Sequence, residues 1–112
     1  MRKVILDTSF ILTAVRQKVD FFHYLEMHGM EAIVPEQTLK ELKGLGAELA
    51  LKIMEKHKFK SVRIPGKDAD SAIVKLAKEN SRALVATLDK GLMKRIKNSK
   101  MILRQKKKIE IV

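Results

Sequence analysis

The sequence predicts an α/β fold, a parallel sheet with helices on both faces. Two observations carry this. Short apolar runs alternate with segments of helical periodicity along the whole chain. Those runs are apolar throughout, as expected for strands covered on both faces.

The elements follow in order. Residues 2–6 (RKVIL) read as a short buried strand. The next stretch, TSFILTAVRQ, is helical, with Ile11, Leu12 and Val15 expected on its inner face. A second helix spans about 19–28 and carries Phe22, Leu25 and Glu26. Ala32–Val34 is a short strand stopped by Pro35, which also suits the first turn of a helix over Glu36–Leu42. Gly44 and Gly46 break that helix. Another runs from about 47 to 57 with Leu49, Ile53 and Met54 inward. Ser61–Ile64 is a strand closed by Pro65 and Gly66. A helix then begins at Asp68 or Ala69 and runs to about Asn80, its apolar face formed by Ile73, Leu76 and Ala77. Ala83–Ala86 is an apolar strand, and Asp89 opens a helix to about Ile96. Met101–Leu103 and Ile109–Val112 are short strand candidates.

The 112 residues fit one domain, 1–112, and 46% apolar residues suffice for a core. With no Cys, disulfides and thiolate metal sites are excluded. His23, His28 and His57 form no HExxH-type pair, so the available metal ligands are carboxylates, which favour Mg²⁺ or Mn²⁺ over structural zinc. No apolar run is long enough to cross a membrane, and Asp7 interrupts the N-terminal apolar stretch, so a cytoplasmic protein with no membrane partner is expected. Twenty-four Lys and Arg against 13 Asp and Glu give a net charge of +11, a field that attracts nucleic acid.

Against this basic background four acids stand apart: Asp7, Glu41, Asp70 and Asp89. Most other acids have a basic neighbour at helical spacing: Glu36 has Lys40, Glu48 has Lys52, Glu79 has Lys75, and Glu55 has Lys52 and Lys58. Each of the four is expected where a strand or turn meets a helix, or in a helix entered from one. In a parallel sheet the strand C-terminal ends form the ligand crevice. All four can therefore converge on one edge. Singly, each has a plainer role. Asp7 and Asp89 suit N-caps, Glu41 suits an exposed helical position near the core boundary, and one of Asp68 and Asp70 caps the helix they begin. We take Asp68 as the cap, which turns Asp70 toward the crevice, although the order can be reversed. Together, carboxylates crowded at one edge repel one another and require a cation.

Four segments, VILDTSFIL, IVPEQTLKELKGL, DADSAIVKLA and LVATLDKGLMKRI, resemble the PIN-domain nucleases over about the first 97 residues. The resemblance implies a three-layer α/β/α sandwich with a central, mainly parallel sheet. It implies a metal-dependent endoribonuclease that hydrolyses RNA phosphodiesters, with Asp7, Glu41, Asp70 and Asp89 as catalytic and metal-binding residues holding one or two Mg²⁺ or Mn²⁺ ions. Thr8 or Ser9, and Thr87, match the small polar residues beside that quartet. The basic end of the chain looks most like the branch that processes ribosomal RNA, with an rRNA precursor as partner. Two alternatives are a VapC-type toxin paired with an antitoxin, and an inactive RNA-binding scaffold. Some PIN proteins carry another acid two residues after the last Asp, where this chain has Gly91, so the resemblance leaves the second metal open.

Substrate contact is expected along residues 90–108, where Lys90, Lys94, Arg95, Lys97, Lys100, Arg104, Lys106, Lys107 and Lys108 occur with no acid. One Tyr, four Phe and no Trp are too few aromatics for a base-stacking platform, so backbone contacts with a steep salt dependence are expected. Phe21, Phe22, Leu25 and Met27 form an apolar face that serves either a homodimer or the core.

Overall fold

The computed structural model describes residues 1–105 and 107–112. Its elements are β1 (Arg2–Leu6), α1 (Thr8–Arg16), α2 (Phe21–Met27), β2 (Met30–Pro35), α3 (Glu36–Gly44), α4 (Glu48–Glu55), β3 (Lys60–Val62), α5 (Ala69–Glu79), β4 (Leu84–Ala86), α6 (Lys90–Arg95), β5 (Lys100–Arg104) and β6 (Lys108–Ile111). The strands form one sheet in the order β3-β2-β1-β4-β5-β6. The first five are parallel, and β6 closes the edge as the antiparallel partner of β5.

Strand periodicity of two divides the core between the faces of the sheet. Val4, Leu6, Ala32, Val34, Leu84 and Ala86 point to one side, where they meet apolar residues of α1 to α4. Ile5, Ile33 and Val85 point to the other, against Ile73, Leu76 and Ala77 of α5 and Leu92 of α6. The result is the expected three-layer α/β/α sandwich around a mainly parallel sheet.

Several details differ from expectation. The buried face of α1 is centred on Phe10, Ile11 and Ala14, because Phe10 turns inward and packs edge-on against Phe21; Leu12 and Val15 are half-buried. Leu49, expected inward, is 64% exposed. Ala50 takes the inner position of α4 together with Met54, and its small side chain allows a close approach to the core. Phe21, Phe22 and Leu25 are core, leaving only Met27 of that group, 70% exposed, on the surface. Glu36 pairs with Arg63, at 3.1 Å, instead of Lys40, and the helical pairs of Glu48, Glu55 and Glu79 are absent among the described residues.

The sheet order also fixes where a site can form. From β1 the chain moves outward through β2 to β3, then returns to place β4 on the opposite side of β1. The direction of winding reverses between β1 and β4. In open α/β sheets the crevice outside the strand C-termini at that reversal is where ligands bind.

Candidate active site

Asp7 and Thr87 flank this reversal, one directly after β1 and the other directly after β4. The Asp7 amide donates to the Ala86 carbonyl at 2.9 Å, which extends the β1–β4 pairing to the mouth of the crevice. Asp7 occupies the N-cap position of α1, but its side chain makes no capping hydrogen bond. Its carboxylate, 3% exposed, turns the other way. Oδ2 accepts from the Thr87 hydroxyl at 2.7 Å and from the Ser9 hydroxyl at 2.8 Å.

The direction of these bonds is determined. The Ser9 hydroxyl oxygen accepts from the Leu88 amide at 3.0 Å, and the Thr87 hydroxyl oxygen accepts from the Asp89 amide at 3.0 Å. A hydroxyl has one proton to donate. Both protons go to Asp7, so the 3.3 Å contact between the two hydroxyls carries none. The four bonds lock the β4–α6 turn onto Asp7 and leave Oδ1 unengaged among the described hydrogen bonds. Of the two candidates beside Asp7, it is Ser9 that supports it. The Thr8 hydroxyl is buried without a partner among the described residues.

Asp89 does cap its helix. Oδ1 accepts from the Gly91 and Leu92 amides at 2.8 and 3.1 Å, leaving Oδ2 for other work. A side chain at Gly91 would crowd this cap, since an added Cβ would lie 3.2 Å from Oδ1. Asp68 caps α5 through the Ser71 amide at 2.8 Å. Its carboxyl is held below the usual carboxylate range by hydrogen bonds from the Ser71 backbone and side chain, with the charge of Arg95 adding to them. Asp70, in the first turn of α5, is half-buried. Its carboxyl is pushed above the usual range, first by burial and then by the charges of Asp7, Asp89, Asp68 and Glu41. Glu41 is exposed on α3. Asp70 thus feels the other three acids of the quartet, although they come from segments far apart in the chain.

A residue that sequence reading missed ties down the loop leading into α5, the helix that carries Asp70. The Gln37 amide, one turn before Glu41 on α3, donates to the Ile64 carbonyl at 2.6 Å and the Gly66 carbonyl at 3.2 Å. This hooks the β3–α5 loop to α3, and the Arg63–Glu36 ion pair ties the same two segments. Gly66 has φ +156°, a conformation that residues with a Cβ rarely adopt. The carbonyls lie 27 and 29 residues from Gln37, so no local spacing reveals the hook.

The nine basic residues of 90–108 do not form one track. Lys90, Lys94 and Arg95 lie on α6, which starts beside Asp89. Lys97 precedes Asn98, which is bonded to Asn80 and Ala83 before the start of β4, and Lys100 is level with Val85 at the middle of β4. Arg104 is paired with Glu110 across the β5–β6 hairpin, where Lys108 also lies, and Lys107 shares a depression with Tyr24 and Met27 of α2. Lys106 is outside the described residues. The histidines are apart from the acids: the His57 ring stacks on Phe22, the His28 ring on Tyr24, and His23 is exposed.

A family model described as PIN like domain matches residues 4–106. The chain belongs to the PIN-domain family. This PIN domain is 30% identical to Ribonuclease VapC4 of Methanocaldococcus jannaschii, over 99% of this chain and 97% of the relative. It is 35% identical to the rRNA-processing protein fcf1 of Schizosaccharomyces pombe, over 84% of this chain and 53% of the relative. The chain therefore spans about half the length of that second relative. Among solved structures, the PIN domain endonuclease Utp24 superposes with a TM-score of 0.85 at 29% identity, over 97% of this chain and 90% of that one.

The donor set of this PIN domain fits a hard divalent cation: four carboxylates with neutral hydroxyls behind one of them, and neither sulfur nor imidazole. Among the described residues, no three of these groups stand close enough to share an ion as they are. A cation would have to draw the more exposed carboxylates of Glu41, Asp70 and Asp89 toward the fixed Asp7. No helix of the described residues is long and apolar enough to cross a membrane.

Proposed function

We propose that this PIN domain is an endoribonuclease that hydrolyses RNA phosphodiesters with Mg²⁺ or Mn²⁺, acting on ribosomal-RNA precursors in the cytoplasm. One observation carries the reading: Asp7, just after β1, is bonded to Thr87, just after β4, and Asp89 caps the next helix, so two of the four acids flank the winding reversal of the sheet, and Asp70, raised first by burial, also feels the charges of Asp7, Asp89 and Glu41. The membership in a nuclease family and the likeness to an endonuclease structure support it.

Asp7, Glu41, Asp70 and Asp89 would hold the metal, as one ion or two. Bound there, a divalent cation polarises the phosphoryl group, makes water more acidic and stabilises the charge of the leaving oxygen. The rest belongs to the chain. Ser9 and Thr87 fix Asp7 through Oδ2 and leave Oδ1 unengaged among the described hydrogen bonds. The α6 cap holds Asp89 with Oδ2 open. Gln37 keeps α5, and with it Asp70, against α3 and Glu41. Lys90, Lys94 and Arg95 offer a basic flank next to the acids for the phosphates on either side of the scissile bond. Residues 1–112 work as one domain in this reading, with sequence specificity supplied by substrate shape or by a partner.

The near full-length match to Ribonuclease VapC4 favours a second reading, a toxin ribonuclease held in check by an antitoxin. The two differ in what surrounds the gene and in the effect of expression, since a toxin arrests growth and has an antitoxin gene beside it. The enzymatic reading is tested by cleavage of a labelled single-stranded RNA with Mn²⁺, comparing wild type, Asp7→Asn and wild type with chelator. Cleavage by the first alone supports it. RNA binding without cleavage in all three would instead mark a non-catalytic scaffold.

A further inference from the structure

On the α5 face of the sheet two depressions of about 790 and 150 Å³ adjoin beneath the end of α5, the larger at the N-terminal edge and the smaller reaching along the strands to Lys60 and Val62 of β3. They share Lys3, Asn80 and Ala83 as lining residues, so they form one groove. Arg2 and Arg82 line its outer part and Lys60 its inner part. These cations come from the starts of β1 and β3 and from the turn before β4, and only the fold brings them together. No acid lines either depression; the nearest acids in sequence, Glu31 and Glu79, lie outside both.

Cations at a helix C-terminus are commonly there to cap it. Here that work is already done. The Asn80 side chain donates to the Leu76 carbonyl at 2.9 Å, and Asn98 donates to the Ala77 and Asn80 carbonyls at 3.2 and 2.9 Å. Asn98 also donates to the Ala83 carbonyl, which pins the segment carrying Lys97 beside the groove. Counter-ions are lacking too, because the two ion pairs among the described residues lie elsewhere. Glu31 stands beside Lys3 in the β1–β2 register and lines an adjoining depression with Lys60, yet it forms no ion pair with either among the described residues, so Lys3, Lys60 and Arg82 are exposed cations in a concave groove with neither capping nor ion-pairing duty.

We propose that this groove is a second RNA-binding site, which takes the phosphate backbone of a long substrate at a distance from the acids. The inference rests on the nuclease reading above and extends it to the path of the RNA. Helix α6 links the two edges: it begins at Lys90 beside Asp89, and the chain continues from its end through Lys97 toward the groove. The molecule measures 30 × 29 × 25 Å. A helical strand advances about 3.4 Å per nucleotide, so about nine nucleotides reach from one edge to the other. Only RNA of at least that order of length engages both sites, and the enzyme thereby prefers long or structured RNA over fragments.

The test compares wild type with the triple variant Lys3→Gln, Lys60→Gln, Arg82→Gln, all at exposed positions away from the acids. Affinity for an RNA of about 30 nucleotides is measured against salt in chelator, and Mn²⁺-dependent cleavage is measured on an RNA of about four. Loss of three phosphate contacts should lower the slope of log affinity against log salt by about 2 for the long RNA, with the short RNA cut at the wild-type rate. An unchanged slope overturns the proposal. So does a variant that keeps its RNA slope but loses binding to anionic lipid vesicles, since the groove would then serve a different polyanion. Single Lys3→Gln and Arg82→Gln variants, each expected to lower the slope by about 0.7, decide the matter should the triple variant melt early. The slope reports on the groove, while cleavage by wild type against Asp7→Asn reports on the nuclease reading, so either can fail alone.

Discussion

The Thr87 hydroxyl meets Oδ2 of Asp7 at 2.7 Å across 80 residues of chain, and its own oxygen is held by the Asp89 amide. One side chain thus joins the first acid of the site to the last. Thr87→Val keeps the shape and removes this bond. It should lower cleavage by about 10–100-fold, as loss of a group orienting a metal ligand does. Ser9→Ala acts on the same oxygen and should cost about as much, with a double variant worse by less than the product. Single-turnover rates on one RNA check this; an unimpaired Thr87→Val would show that Asp7 needs no such support.

Asp70 should be a source of instability when no metal is bound. Its carboxyl has a raised pKa in the folded protein, so between the unfolded value near 3.8 and the folded one the native state binds the extra proton. The stability from that proton is full below the unfolded value and is lost as pH rises through the folded one. At neutral pH the wild type keeps a half-buried charge that also feels the neighbouring acids, and Asp70→Asn relieves both. In chelator at pH 7 the variant should therefore melt above wild type, and the gap should close as pH falls below the unfolded value. Added Mn²⁺ should raise the melting temperature of wild type more than that of the variant. A variant that melts lower than wild type at pH 7 would contradict the crowding of charge at this edge.

Gln37→Leu removes the hook between α3 and the β3–α5 loop. Two carbonyls lose their donor, at a cost of about 1–3 kcal/mol in stability. Hydrogen exchange should quicken around residues 64–72 ahead of the rest of the protein, and the Mn²⁺ concentration for half-maximal cleavage should rise by about 10-fold. A uniform change in exchange would argue that Gln37 acts on the whole fold instead of on the placement of Asp70.

RNA affinity should fall steeply with salt even for short substrates, because Lys90, Lys94 and Arg95 adjoin the acids. Replacing any one by Gln should lower the salt slope by about 0.7. Gel-shift titrations at several salt concentrations read this directly, and a slope near zero for wild type would remove phosphate contact from the account.

The fold was legible because its strands are apolar on both faces and its helices keep their period. Both patterns survive in a single sequence, and the separation of Ile5 from Val4 and Leu6 follows from alternation alone. The inner face of α4 was misread because Leu49 is the larger side chain, while packing chose Ala50. The four acids were legible as residues without helical partners, but their orientations were not. Asp7 and Asp89 both occupy N-cap positions, yet only Asp89 caps. That difference arises from Thr87 and Ser9, whose positions relative to Asp7 depend on β1–β4 pairing. The basic run of 90–108 misled for a related reason. Along the chain it is continuous, whereas in space it divides between α6, the segment beside the start of β4 and the β5–β6 hairpin.

The bond from Thr87 to Asp7 also has a meaning for synthesis. A ribosome adds roughly 5–20 residues per second, so about 4–16 s separate the appearance of Asp7 from that of Thr87. Throughout that interval β1 has no β4 beside it, and the carboxylate that anchors the site has only Ser9 for a partner. A chain interrupted before residue 84 can fold parts of two layers but cannot close the crevice. Such a fragment lacks both Thr87 and Asp89, so on the nuclease reading proposed above it should not cleave RNA until the last third of the chain has emerged.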